Sequence, residues 1–251
     1  MTVFGPSYSR YYDLLYKDKD YETEAGYIDR IIQSSRPGAG RLLEMGSGTG
    51  KHAALLAAQG YSVCGIEQSG DMLSIAKQRE DGSSLRFIRG DMRTVRLDER
   101  FDVVFSLFHV VNYLNRNEDL LEAFQNASAH LEEGGLFIFD SWYGPAVLTD
   151  RPAVRVKRWE DEESRVIRLA EPVMSVNRNT VEVNYQVLLH DKKSGHMDEW
   201  KETHRMRYLF TPEIEMMLDR SGMELESCCE FMTGRDPGER TWSVLYIGRK
   251  R

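Results

Sequence analysis

"RLLEMGSGTGKHA", residues 41–53, runs from a short apolar stretch closed by an acid, Glu44, into a loop that spaces Gly46, Gly48 and Gly50 two residues apart. A strand that stops at such a loop and hands over to a helix leaves backbone with no Cβ in the way. It also aims free helix N–H groups at whatever lies above. Two phosphate-binding versions of this turn fit poorly. The pattern G-x-x-x-x-G-K-[ST] would end on Gly50-Lys51, but Met45 stands at its first glycine and His52 at its hydroxyl. The dinucleotide pattern G-x-G-x-x-G/A needs a small third residue for helix packing, and Lys51 occupies that place.

Outward from this loop, short β-rich runs alternate with longer helical ones up to Asp140, the pattern of a parallel sheet wrapped by crossover helices. The strands are read at "RLLEM", "YSVCGIE", "LRFIRG", "FDVVFSL" and "GGLFIFD". Helices are expected from Gly50, from "SGDMLSIAKQR" with Ser69 as N-cap, and over "NEDLLEAFQNASAHL", closed by Gly134-Gly135. Two more helices, Ser7 to Tyr16 and Tyr21 to Ser34, precede the first strand. After Asp140 the runs "AVRVKRWE", "SRVIRLAEPVMSV", "TVEVNYQVLLHD" and "DEWKETHRMRYLF" alternate polar and apolar residues between turn-like segments, which reads as an antiparallel meander. "TPEIEMMLDRSG" is a helix with Thr211 as N-cap and Pro212 in its first turn, followed by two closing strands around "MELESCCEFM" and "TWSVLYIGRK". The fold class is α/β: a doubly wound, mostly parallel sheet with an N-terminal helical cap and an antiparallel β lid. The expected divisions are 1–36 for the cap, 37–145 for the cofactor-binding core, 146–210 for the lid and 211–251 for the closing helix and strands.

At 251 residues, 41% hydrophobic and 29% charged, the chain is long enough to bury a sizeable core. Its net charge is −7, and residues 1–150 are acidic while 151–251 are balanced, so neither half offers a cationic face for nucleic acid. Cys64, Cys228 and Cys229 have no spacing for a zinc site or a disulfide framework, which fits a reducing cytoplasm. The first twenty residues lack an apolar leader segment, and "FDVVFSLFHVVNYL" is too short to span a bilayer, so no membrane role is expected. No carboxylate cluster for a metal stands out.

The remaining strand ends carry the chemistry. Glu67 closes the second strand where an acid can accept from both hydroxyls of a ribose, followed by Gln68 and then Met72 in the next helix. Asp91 and Met92 follow the third strand, and the fourth ends before Leu107. Four such positions in order at carboxyl ends of parallel strands mark the crevice where open α/β sheets bind ligands. The spacing Glu44-x-Gly46-x-Gly48-x-Gly50 resembles motif I of the class I S-adenosylmethionine-dependent methyltransferases, whose fold is Rossmann-like. The resemblance implies S-adenosylmethionine as cofactor, with Glu44, Gly46, Ser47 and Gly48 around its amino-acid half, Glu67, Gln68 and Met72 around ribose and adenine, and Asp91, Met92 and Leu107 completing the site.

Beyond the core, "YYDLLYKDKDYETEA", "GDMR", "FSLFHVVNYL", "LEEGG", "KETHRMRYLF" and "GERTWSVLYIG" resemble N,N-dimethyltransferases of nucleotide-linked amino sugars. That likeness implies a small-molecule acceptor, with Tyr16 near the accepting group, Tyr21 closing over the cofactor's amino-acid end, and Arg240 meeting a diphosphate, assisted by Arg207 or Arg151. His204, on a strand expected to overhang the crevice, is the candidate base. His109 departs from the relatives at the pocket floor and bears on acceptor choice. An O- or N-methyltransferase of another small metabolite, or a non-catalytic cofactor-binding module, stays open, as does a homodimer through the meander.

Overall fold

The computed structural model describes residues 19–251, so the expected helix Ser7 to Tyr16, and Tyr16 itself, lie outside the described residues. The first helix, α1 (Tyr21–Ser35), starts where Asp20 accepts a hydrogen bond from the Thr23 amide at 2.9 Å, with Glu22 and Glu24 favourably placed against the helix dipole. Ala25, Ile28 and Ile32 recur at helical spacing and are fully buried. The loop of residues 46–50 follows β1 (Arg41–Met45) and leads into α2 (Lys51–Ala58). Next come β2 (Ser62–Glu67), α3 (Gly70–Ala76) capped by Ser69, β3 (Leu85–Arg89) and β4 (Phe101–Ser106). A short 3-10 turn at Val110–Tyr113 precedes α4 (Asn117–His130), β5 (Leu131–Trp142) and α5 (Gly144–Thr149), a helix the sequence patterns did not indicate.

The antiparallel strands are β6 (Arg155–Glu160), β7 (Ser164–Ser175), β8 (Thr180–Asp191) and β9 (Met197–Arg207), and the chain finishes with α6 (Thr211–Arg220), β10 (Met223–Glu230) and β11 (Ser243–Lys250). The larger sheet has the order β10-β11-β5-β4-β1-β2-β3, parallel from β3 through β5, with β11 antiparallel to both neighbours. The smaller has the order β6-β7-β8-β9. Both sheets agree with the alternation read in the sequence.

Two local expectations are corrected. α4 is not closed by Gly134-Gly135: it ends at His130 and β5 begins at once with Leu131, while Gly134, at φ 69°, lies inside that strand beside an irregularity in its pairing with β4. The N-cap of α6 is Phe210 rather than Thr211; the Phe210 amide donates to Glu213 at 3.3 Å, which supplies the carboxylate half of a capping box.

β1 is the strand from which the order reverses, because β2 and β4 flank it, both parallel. Past the exposed Arg41 it is buried on both faces and shows no alternation: Leu42 faces the layer of α1 and α2, while Leu43 and Met45 face the layer of α4 and α6. The smaller sheet rests on the larger unit in two places: Trp159, Val166, Val187 and Leu189 pack around Met72 of α3 with Phe108 beside them, and Val181 and Val183 pack with Val147 and Tyr208. Cross-strand partners share a face, so the register places Arg155, Lys157, Arg168 and Tyr185 on the same side as these contacts.

Candidate active site

Between the carboxyl edge of the parallel strands and that face lies a cavity of about 990 Å³. Glu44, Gly46, Ser47, Gly48, Glu67, Gln68, Met72, Asp91, Met92, Leu107, Tyr21, His109 and His204 all line it, so the fold brings together most residues singled out in the sequence.

The glycine loop is shaped by contacts on both sides. Gly46, Gly48 and Gly50 all have positive φ. A Cβ on Gly46 would come within 2.5 Å of Val110, and one on Gly50 would press into the Phe87 ring, whereas one on Gly48 would meet no protein atom within 4 Å. Glu67 braces the loop from below: its carboxylate accepts from the Gly48 amide at 2.8 Å and from the Ser69 amide at 2.7 Å. Burial pushes the Glu67 carboxyl above its ordinary range, against the lowering effect of those amides. Burial also holds Glu44 well above that range, and the charge of Glu67 adds to it, opposed by a hydrogen bond from the Ala53 amide. Glu44 Oε2 and Ser47 Oγ are buried without a hydrogen-bond partner in the protein. Two orphaned oxygens, an acid at each of two strand ends and an open space over Gly48 fit a ligand carrying an ammonium group and a ribose diol.

At the third strand end, hydrogen bonds from Arg93 hold the Asp91 carboxyl below its ordinary range despite partial burial, and Arg93 also reaches Asp119 at 2.6 Å. Tyr21, at the start of α1, lies over His52 with ring centroids 4.9 Å apart, and the Lys51 ammonium stands 4.8 Å from the Tyr21 ring.

The floor beyond β4 is strained. Phe108 and His109 are consecutive non-glycine residues in the left-handed region, at φ 68° and 61°. Their conformation is held by Asp140, which is 1% exposed: its carboxylate accepts from the His109 amide at 2.9 Å and meets His109 Nδ1 at 2.7 Å. Burial alone would raise the Asp140 carboxyl; His109, by charge and hydrogen bonding, and the Lys19 charge outweigh it and hold it lowered. The His109 ring thus turns Nδ1 toward the buried carboxylate and Nε2 away from it. The sequence carried a signal for Asp140 that was missed, an acid ending an apolar strand, as Glu44 and Glu67 do.

Above the floor, His204 is 3% exposed, with Nδ1 2.6 Å from the Tyr113 hydroxyl and Nε2 3.2 Å from Glu202. Both ring nitrogens are engaged, one by Tyr113 and one by Glu202, while the ring itself lines the cavity. Tyr113, which the sequence patterns did not single out, lines the cavity.

Known proteins share this fold over nearly the whole length of the chain. Residues 42–135 match the family described as a methyltransferase domain. The chain is 32% identical, over 86% of its length and 89% of the relative's, to the dTDP-3-amino-3,4,6-trideoxy-alpha-D-glucopyranose N,N-dimethyltransferase of Streptomyces venezuelae. The chain belongs to the S-adenosylmethionine-dependent methyltransferases. Among solved structures of that family it is similar to DesVI of Streptomyces venezuelae, at 27% identity and a TM-score of 0.80 over 96% of this chain and 97% of that one. It is equally similar in sequence, at 27%, to the S-adenosylmethionine-bound amino pentose methyltransferase of Micromonospora echinaspora involved in calicheamicin biosynthesis, with a TM-score of 0.79 and 96% of both chains covered. S-adenosylmethionine is therefore the cofactor of this methyltransferase.

Three arginines expected at the acceptor fall outside its cavity. Arg207, 8% exposed, is paired with Glu213 at the start of α6, and its carbonyl takes the Asn112 side chain, so it serves the join between β9 and α6. Arg240 lies exposed in the turn before β11 and does not line the cavity; nor does the exposed Arg151. Spacing alone did not separate an arginine that ties two elements together from one that meets a ligand.

Proposed function

We propose that the protein methylates the amino group of a nucleotide-linked sugar. The observation that carries this reading is the single continuous cavity, which runs from the acidic strand ends to the face of the smaller sheet, within a chain similar over most of its length to a dTDP-amino-sugar N,N-dimethyltransferase. Residues 146–210 would then act as the acceptor subdomain and residues 1–36 as a cap over the cofactor.

When bound, S-adenosylmethionine supplies an electrophilic methyl group on a sulfonium. Glu44 Oε2 and Ser47 Oγ would hold its ammonium end, Glu67 its ribose hydroxyls, and Met72, Met92 and Leu107 the sides of its adenine, with Asp91 at the rim. The acceptor nitrogen must present its lone pair in line with the methyl–sulfur bond; as the nitrogen–carbon bond forms and the carbon–sulfur bond breaks, the nitrogen sheds one proton. His109 Nε2, with Asp140 behind it to stabilise the imidazolium, takes that proton, and Tyr113, backed by His204, orients the amine. Tyr16 keeps its proposed place near the accepting group.

Mass spectrometry of the protein incubated with S-adenosylmethionine and dTDP-linked amino sugars tests the reading. One or two added methyl groups on the sugar nitrogen are expected. Methylation confined to unphosphorylated amines or to hydroxyl acceptors would overturn it.

A further inference from the structure

Charged side chains line both sides of the cavity. Its carboxylates, Glu44, Glu67 and Asp91 at the parallel-strand edge and Asp119 on α4, stand among the cations Lys51, Arg89 and Arg93 on the side proposed for the cofactor. The wall built by β6 and β7 lines the cavity with cations and no carboxylate. Arg155 and Lys157 alternate along β6, and Arg168 of β7 is the direct cross-strand partner of Lys157; all three line the cavity. An anion placed among these three side chains is attracted by all of them. Glu160, the carboxylate of the same strand, is committed to Arg165 and Lys192. Arg168 is 8% exposed and held between two rings, with its guanidinium carbon 5.2 Å from the centroid of Trp159 and 5.0 Å from that of Tyr185. Stacking fixes the plane of the fork, the pre-organisation that makes arginine an effective partner for phosphate oxygens. Tyr185 in turn packs edge-on against His204 at 5.0 Å, which links this wall to the group behind Tyr113.

We infer that Arg155, Lys157 and Arg168 form the anion subsite of the acceptor, holding the diphosphate of a nucleotide-linked substrate so that the sugar reaches toward His109 and Tyr113. This rests on the proposed acceptor class and relocates the diphosphate from Arg240 and Arg207 to the β6–β7 hairpin. The subsite places the charged handle on the wall of β6 and β7, across the cavity from the strand ends proposed to hold the cofactor.

The test uses the full chain with S-adenosylhomocysteine bound, titrated calorimetrically with dTDP and with uncharged thymidine. dTDP is expected to bind and thymidine to bind far more weakly. Arg155→Gln combined with Lys157→Gln, both at exposed positions, should weaken dTDP at least about tenfold, the loss of one to two charge-assisted contacts, and flatten its salt dependence, while S-adenosylhomocysteine affinity holds. Arg168→Lys, which keeps the charge and loses the planar fork, should weaken dTDP as well. Equal dTDP affinity in wild type and the double variant would overturn the subsite, and if such a protein still methylates a dTDP-linked amino sugar, the acceptor reading survives without it. Failure of the wild type to bind dTDP would overturn both.

Discussion

At the residue scale, Glu44 sets stability against function. Its folded carboxyl titrates above the unfolded one because it is buried. The folded state therefore holds that proton more tightly. Stability is greatest below the unfolded value and is lost as pH rises from there toward the folded value. Glu44→Gln should raise the melting temperature of the cofactor-free protein at pH 8, the gain shrinking toward pH 5, while weakening S-adenosylmethionine binding in calorimetry. No gain at pH 8 would mean that the carboxyl carries no burial penalty. His109 makes a second case, since His109→Ala leaves the buried Asp140 without its side-chain partner, at a cost of about 1–3 kcal/mol. Under the proposed role, turnover should fall much further than cofactor affinity; a proportionate fall in both would reduce His109 to a structural residue.

At the scale of elements, the three loop glycines are not equivalent. Each sits at positive φ, so alanine at any of them costs about 1 kcal/mol from backbone alone. Gly50→Ala adds a collision with Phe87 on β3, and Gly46→Ala one with Val110; Gly48→Ala adds none within the protein. Denaturant melts should accordingly rank Gly48→Ala as the mildest, although it should lose the most cofactor affinity relative to its stability, since its methyl would fill the space over the loop. If Gly48→Ala bound S-adenosylmethionine normally, the cofactor would not approach the backbone there. The left-handed pair Phe108–His109 is held by the element ends around it, β4 on one side and Asp140 of β5 on the other.

At the scale of the whole molecule, the smaller sheet meets the larger unit through two apolar contacts, one around Met72 and one where Val181 and Val183 pack with Val147 and Tyr208. Met72→Ala should cost about 2–4 kcal/mol. Cofactor at a hundredfold excess over its Kd should add about 2.7 kcal/mol of stability, and hydrogen exchange should slow across the glycine loop. Protection that also reaches β7 and β8 would show that cofactor binding orders the acceptor wall; protection limited to the loop would show that the sheet is already set.

The sequence by itself determined the strand–glycine loop–helix unit, the run of parallel strands, the four-strand meander and the acids Glu44, Glu67 and Asp91 at strand ends. These follow from local rules: an apolar run of period two or none, a turn that needs glycine, and a side chain placed by the strand it terminates. Tertiary structure alone decided which cations face the cavity. Arg207 and Arg168 both lie on alternating strands and look alike in sequence, yet Arg207 is drawn to Glu213 and Arg168 is clamped between Trp159 and Tyr185. Sheet register and the packing of α6 made that choice. The pairing of His109 with Asp140 and of Tyr113 with His204 joins residues 31 and 91 positions apart. Local periodicity holds no information about such separations, which only the folded chain brings within hydrogen-bond reach.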